Sequence, residues 1–186
     1  MFDNPVLERM SRIRPTTVLA IFLPAMMVSI WYSVHSGVSG GRTAGLFLGG
    51  VAFWSLFEYL MHRYVFHFWP EGEFQTKLQF TMHGVHHQYP NDKDRLVMPV
   101  SVSIPVSLLL LWLFTSLLGA QAWGFFGGFM CGYLIYDMMH YSVHHWTNMK
   151  IPLMRKLRRH HMAHHYRDTN KGFGVSTSVW DRVFRT

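Results

Sequence analysis

The chain has 186 residues, of which 49% are hydrophobic and only 15% charged, and it carries a formal charge of +7. An ordinary soluble domain is about 25% charged, so this composition excludes a water-bathed globule and requires an apolar phase around much of the protein. The length suits one compact domain over residues 1–186, and the positive charge gathers beside apolar segments, where anionic lipid headgroups answer it, so nucleic acid is not an expected partner.

In chain order, Arg9, Arg12 and Arg14 precede an uncharged apolar segment, residues 16–34. Only a weak small-residue cleavage site follows it, and its length suits a retained helix rather than a secretory signal. Residues 43–61 contain one charge, Glu58; residues 97–119 contain none; residues 122–140 contain only Asp137. Each segment can cross roughly 30 Å of hydrocarbon as a helix. Pro99 is tolerated in a first helical turn, whereas Pro105, deeper in, predicts a local kink. Cys131 lies in an apolar span and is read as core. The expected fold is an all-α integral membrane protein of about four transmembrane helices. A histidine-rich helical cap is expected from residues 62–96 and 141–186.

Charge sets the expected orientation. Residues 150–186 hold nine Lys or Arg against Asp168 and Asp181, and the two short turns between spans hold one Arg in total. The positive-inside rule therefore places both termini and the cap in the cytoplasm.

Thirteen histidines occur, and all but His35 fall on the cap side or at the span ends that face it. They form four clusters: His62 and His67; His83, His86 and His87; His140, His144 and His145; His160, His161, His164 and His165. Residues three or four apart share a helix face, which groups His140 with His144, His83 with His86 or His87, and His161 with His164 or His165. His62 and His67 are five apart, so a helix end or bend is expected there. One metal cannot use ten imidazoles, because a structural zinc takes four ligands. Two metals with about five each would use His62, His67, His83, His86, His87, His140, His144, His161, His164 and His165.

Glu58 and Asp137 are costly in a span unless paired. Glu58 precedes His62 by four residues and Asp137 precedes His140 by three, so each is expected to accept the outer ring N–H of a ligand histidine and fix its tautomer. His35 is read as structural, and His145 and His160 are the extra members of their clusters. Tyr89, Tyr141 and Tyr166 adjoin the clusters and are candidates, with His145, for orienting a headgroup or an oxygen species; as interface anchors the tyrosines need no such role. Imidazole suits iron, zinc, copper and nickel. A metal centre fed by apolar helices implies a long apolar substrate, and a site against an alkyl phase favours oxidation by iron over hydrolysis by zinc.

Four stretches carry a resemblance. EYLMHRYVFH (58–67), HGVHHQYPNDKDRLVMP (83–99), YDMMHYSVHH (136–145) and HHMAHHYRDTNKGFGVSTSVWDRVF (160–184) resemble the fatty acid hydroxylase superfamily of integral-membrane histidine-box enzymes. Within it they are nearest to the catalytic domain of the fatty acid 2-hydroxylases that act on sphingolipid acyl chains. The resemblance covers about residues 50–186. It implies the same ten histidines as metal ligands and two iron ions, replaceable by zinc on isolation. It also implies O₂-dependent hydroxylation at carbon 2 of a long-chain acyl lipid, with electrons from an external reductant. Many eukaryotic members carry a fused cytochrome b5 domain; about fifteen residues precede the first helix here, so a separate donor, a ferredoxin or cytochrome b5-like protein, is expected. The expected location is a bacterial inner membrane, or the endoplasmic reticulum in a eukaryote. Two competing readings are a related histidine-box desaturase or sterol or carotenoid hydroxylase, and a membrane metal-binding or transport protein. The second is opposed by spans with no polar series through their centres.

Overall fold

The computed structural model describes residues 4–186, and among them every regular element is helical. The elements are α1 (Pro5–Met10), α2 (Pro15–His35), α3 (Gly40–Leu60), α4 (Glu73–Gln79), α5 (Val85–Gln88), α6 (Val100–Leu118), α7 (Ala122–His145), α8 (Pro152–Tyr166) and α9 (Val179–Phe184). Two π-helical turns interrupt the series, Met61–Phe66 directly after α3 and Phe80–Gly84 directly after α4.

The four expected apolar helices are α2, α3, α6 and α7. Three helical segments are long and apolar enough to cross a membrane: Pro15–His35, Gly40–Phe66 and Val100–His145. The third holds both α6 and α7, joined by a 3₁₀ turn at Gly119–Gln121. Gly119 there has φ +57° and ψ −135°, a backbone conformation open to glycine and strained for other residues. Pro15 sits in the first turn of α2, where its missing N–H costs nothing. α7 runs on to His145, five residues past the expected end, so His144 belongs to the same helix as His140.

The chain divides into two compact units, with boundaries inside α3 and at the end of α7's apolar stretch. The first comprises residues up to Trp54 and Val97–Asp137. Its outside is apolar: Trp31, Leu108, Leu109, Trp112 and Leu117 are exposed. Its inside is held by small residues. A Cβ on Gly50 would lie 2.0 Å from the Phe125 carbonyl oxygen, and one on Gly128 would lie 1.9 Å from that of Phe47. Backbones of α3 and α7 therefore meet directly, the packing mode available where lipid removes the hydrophobic drive between helices. Ser29 Oγ donates to the Trp123 carbonyl at 2.7 Å, and the Ser33 and Thr43 hydroxyls pair at 3.0 Å.

The second unit comprises Ser55–Leu96 and Met138–Thr186. Its C-terminal helix α9 closes back on the end of α3. Trp180 Nε1 donates to Ser55 Oγ at 3.1 Å, the Phe184 ring stacks on Tyr59 at 5.2 Å, and the Tyr59 and Thr186 hydroxyls pair at 3.0 Å. These contacts pack Trp180 and Phe184 against the end of α3. They also place residues 171–178, in the loop between α8 and α9, beside the histidines.

Candidate metal centre

Five elements of the second unit deliver the ten histidines. The π-turn Met61–Phe66 carries His62 and ends at His67, whose N–H bonds the His62 carbonyl at 3.1 Å. That i→i+5 bond is the physical reason for the five-residue spacing: a π-turn brings residues five apart onto one face, and such turns recur at functional sites. The second π-turn carries His83, and α5 carries His86 and His87. The end of α7 supplies His140 and His144, and α8 supplies His161, His164 and His165.

These side chains sort into two sets of five. His62, His67, His83, His87 and His164 form the first site; His86, His140, His144, His161 and His165 form the second; within each set the ligand nitrogens lie within 4.8 Å of one another. Neighbours in sequence are thus split: His86 and His87 serve different sites, as do His164 and His165. In the first site His83 Nε2 lies 3.0 Å from that of His62 and 3.1 Å from that of His87, and His67 and His164 approach to 3.1 Å. In the second, His86 Nε2 lies 3.1 Å from those of His140 and His165, and His161 Nε2 lies 2.9 Å from His144 and 3.1 Å from His165.

Mutual hydrogen bonds do not account for this. The Phe173 carbonyl can only accept, so His62 carries its proton on Nδ1, which meets that oxygen at 2.6 Å. His164 likewise donates from Nδ1 to the Lys171 carbonyl at 2.7 Å. In a neutral ring the proton at Nδ1 leaves Nε2 a bare lone pair, and these lone pairs converge. Around a cation about 2.1 Å from each nitrogen, ligands at right angles lie about 3.0 Å apart, the spacing seen. The donor sets therefore fit one borderline transition-metal ion each.

Electrostatics keep the rings neutral. Burial, reinforced by the neighbouring imidazoles, lowers His67 and His87 to about 3 and His165 to about 2. His83, His86 and His161 are lowered well below the ordinary value for the same reasons. For His164 burial also lowers the value, and the Lys171 carbonyl pulls the other way. At neutral pH every one of these rings has a lone pair to give.

The expected carboxylate partners are corrected. Glu58 is buried, but the proton of His62 goes to Phe173. Glu58 Oε1 accepts the amides of Val175 and Ser176 at 2.7 and 2.8 Å, and Oε2 takes the Ser176 hydroxyl. Glu58 thus acts on the loop that acts on the histidine, a consequence of a chain return 117 residues later that local spacing does not encode. Asp137 does not bond His140: its buried carboxyl faces the Tyr133 side chain and the Met98 backbone instead. Helical side chains lean toward the N-terminus, and this carboxylate sits near Tyr133, one turn back.

Sequence reading missed Asp181. It is buried and accepts the amides of Phe173 and Gly174 at 2.8 and 2.9 Å, together with His160 Nε2 at 3.0 Å. Burial alone would raise its carboxyl, but the hydrogen bonds from His160 and these amides hold it below the ordinary range. His160, the extra member of its cluster, is thereby placed outside both five-histidine sets.

The four side chains considered for orienting roles also lie outside both sets. His145 packs against Tyr141 with ring centres 4.5 Å apart and lies 6.5 Å from the His144 ring. Tyr166 and Tyr89 are exposed. His35 stacks on Trp31 at 4.7 Å in the first unit, in keeping with a structural role.

The family model described as Fatty acid hydroxylase matches residues 47–186. The chain is 33% identical over its whole length to the Arabidopsis thaliana dihydroceramide fatty acyl 2-hydroxylase FAH2, covering 78% of that protein. It is 40% identical over its whole length to the human fatty acid 2-hydroxylase, spanning 56% of it. Against the Saccharomyces cerevisiae ceramide very long chain fatty acid hydroxylase SCS7, 76% of the chain aligns at 41% identity, covering 37% of that protein. A solved structure titled full length scs7p, with only the hydroxylase domain visible, superposes on all of the chain with a TM-score of 0.92 and 35% identity, over 70% of that chain. The family match and the whole-chain relatives span the stretch that contains the two histidine sets, and the chain belongs to the fatty acid hydroxylase family as one of its enzymes.

Proposed function

We propose that this protein hydroxylates carbon 2 of the long acyl chain of a membrane lipid, with two iron ions held by the ten histidines. The observation that carries the metal reading is the gathering of five histidine ring nitrogens within 4.8 Å of one another at each of two sites. The relatives named as 2-hydroxylases carry the choice of carbon. The balanced reaction takes the lipid, O₂, two electrons and two protons to the 2-hydroxy lipid and water. Two iron ions, when bound, supply the O₂ activation needed to attack an unactivated C–H bond.

The chain's own residues do the rest. Burial keeps the imidazoles neutral and ready to bind. The Phe173 and Lys171 carbonyls hold the protons of His62 and His164 on the outward nitrogen. The apolar spans bring the acyl chain along their length and set which carbon is presented, a positioning effect on which such reactions depend strongly. Tyr141 and His145, packed together beyond His144, are the best placed of the four orienting candidates. Residues 1–186 act as a single membrane domain of four spans, with the cap and both termini on the cytoplasmic side of a bacterial inner membrane or the endoplasmic reticulum. A separate ferredoxin or cytochrome b5-like protein supplies the electrons.

The test is expression of the chain with an electron donor and iron in a host supplied with ceramides and other acyl lipids, followed by mass spectrometry of the hydrolysed fatty acids. A 2-hydroxy acid is expected from the unmodified chain and none from the His83→Ala, His86→Ala double variant, which removes one nitrogen from each site. Oxygen at another carbon would overturn the regiochemistry, and loss of two hydrogens would make the protein a desaturase.

A further inference from the structure

The two histidine sites differ in what stands behind them. To offer Nε2 to a cation, an imidazole must keep its proton on Nδ1, and a buried Nδ1–H needs an acceptor. In the first site the loop between α8 and α9 provides it twice, from the Phe173 and Lys171 carbonyls. The loop is itself clamped. Four consecutive amides, those of Phe173, Gly174, Val175 and Ser176, donate to two buried carboxylates, Asp181 taking the first two and Glu58 the last two. The Ser176 hydroxyl adds a further bond to Glu58, and His160 and Thr186 add bonds to Asp181. Gly174 leaves no slack, since a Cβ there would lie 2.0 Å from the Thr177 carbonyl oxygen. Charge-assisted amide bonds of this kind are about twice as strong as neutral ones.

The second site lacks this backing on the same helix. The Nδ1 atoms of His161 and His165, one turn from His164 or adjacent to it on α8, are buried with no hydrogen-bond partner. Such a ring either keeps an unmet N–H at Nδ1, which is costly, or shifts its proton to Nε2, where it blocks the lone pair. A cation entering the second site must first bear that rearrangement; one entering the first site meets lone pairs already fixed.

Resting on the reading that each set of five holds one metal ion, we infer that the two sites are unequal: the loop clamped by Glu58 and Asp181 makes the His62–His164 site the tight one and leaves the His86–His165 site exchangeable. Glu58 and Asp181 are then positioning residues for one metal and not for the other.

The test uses the full chain in detergent, loaded with Zn²⁺, and follows metal release to an excess of chromophoric chelator. Two ions per chain are expected, lost in two phases of equal amplitude, the slow one at least about 10-fold slower. His144→Ala should remove the fast phase and His67→Ala the slow one. Asp181→Asn and Glu58→Gln should each accelerate the slow phase about 10- to 100-fold, the usual range for losing support behind a ligand, and leave the fast phase in place. A purely structural weakening would speed both phases together and would overturn the inference. So would release in a single phase, or assignment of the slow phase to His144. If a carboxylate variant does not fold, the phases of the unmodified chain and their assignment by the two histidine variants still decide the matter. Fewer than two ions on the unmodified, folded chain would instead overturn the two-metal reading itself.

Discussion

The two units of this protein bury opposite things. The first exposes Trp112, Leu117 and Leu108 and encloses Ser29, Ser33, Thr43, Ser103 and Asp137. Lipid tails solvate the outer leucines as well as a protein core would, so cohesion falls to backbone-to-backbone contact at glycines and to short polar bonds. The second unit encloses ionisable rings, and each must be kept neutral or given a partner. It answers with burial, with carbonyls and with two carboxylates that act at one remove. The difference teaches that burial of polar groups means packing specificity in one unit and readiness to bind a cation in the other.

Removing that readiness has the largest expected effect. His83→Ala with His86→Ala should reduce product to background and cut bound metal well below two ions per chain, measured by mass spectrometry of lipids and elemental analysis of the purified protein. The first unit should be indifferent to metal and vulnerable at its seam. Gly128→Leu drives a side chain into the Phe47 carbonyl and should destabilise the protein by about 3 kcal/mol or more, read as a fall in the thermal midpoint in detergent whether or not metal is present.

Acid separates the units again. His67, His87 and His165 are held near 3, 3 and 2 in the folded, metal-free chain, whereas an unfolded histidine titrates near 6.5. Below about 6.5 the unfolded chain therefore binds protons that the folded one refuses, and stability falls steadily as pH drops from about 6.5 toward 3. The thermal midpoint of the metal-free protein should decline between pH 7.5 and 5, and His67→Ala should flatten that decline. The smallest effect belongs to His35, which is exposed and stacked on Trp31: His35→Ala should change stability by no more than about 0.5 kcal/mol, read as a thermal midpoint close to that of the unmodified protein, and leave product formation unchanged.

Much of the site was legible along the chain. Spacings of three and four on helices pick out His140 with His144 and His161 with His164 or His165, and the apolar segments announce their helices within a few residues of the observed ends. The five-residue step from His62 to His67 signalled a local irregularity, and the π-turn is its form. Asp181 had no such signal, because an acid in a short C-terminal helix reads as surface. Glu58 was noticed for the right reason, its cost in an apolar segment, but was assigned the wrong partner. Asp137, noticed for the same reason, was assigned a bond it does not make.

By itself, the sequence determined that the protein meets an apolar phase, that its regular structure is helical and that ten imidazoles are available as ligands. These follow from composition and short-range periodicity, which every local window of the chain displays. Only the tertiary structure decided how ten histidines divide into two fives, which ring nitrogen faces inward, and which site the loop supports. Those outcomes rest on contacts such as Glu58 with Val175 and His62 with Phe173, 117 and 111 residues apart. The partners in such a contact share no period and no window, and they meet only when packing brings the chain back on itself.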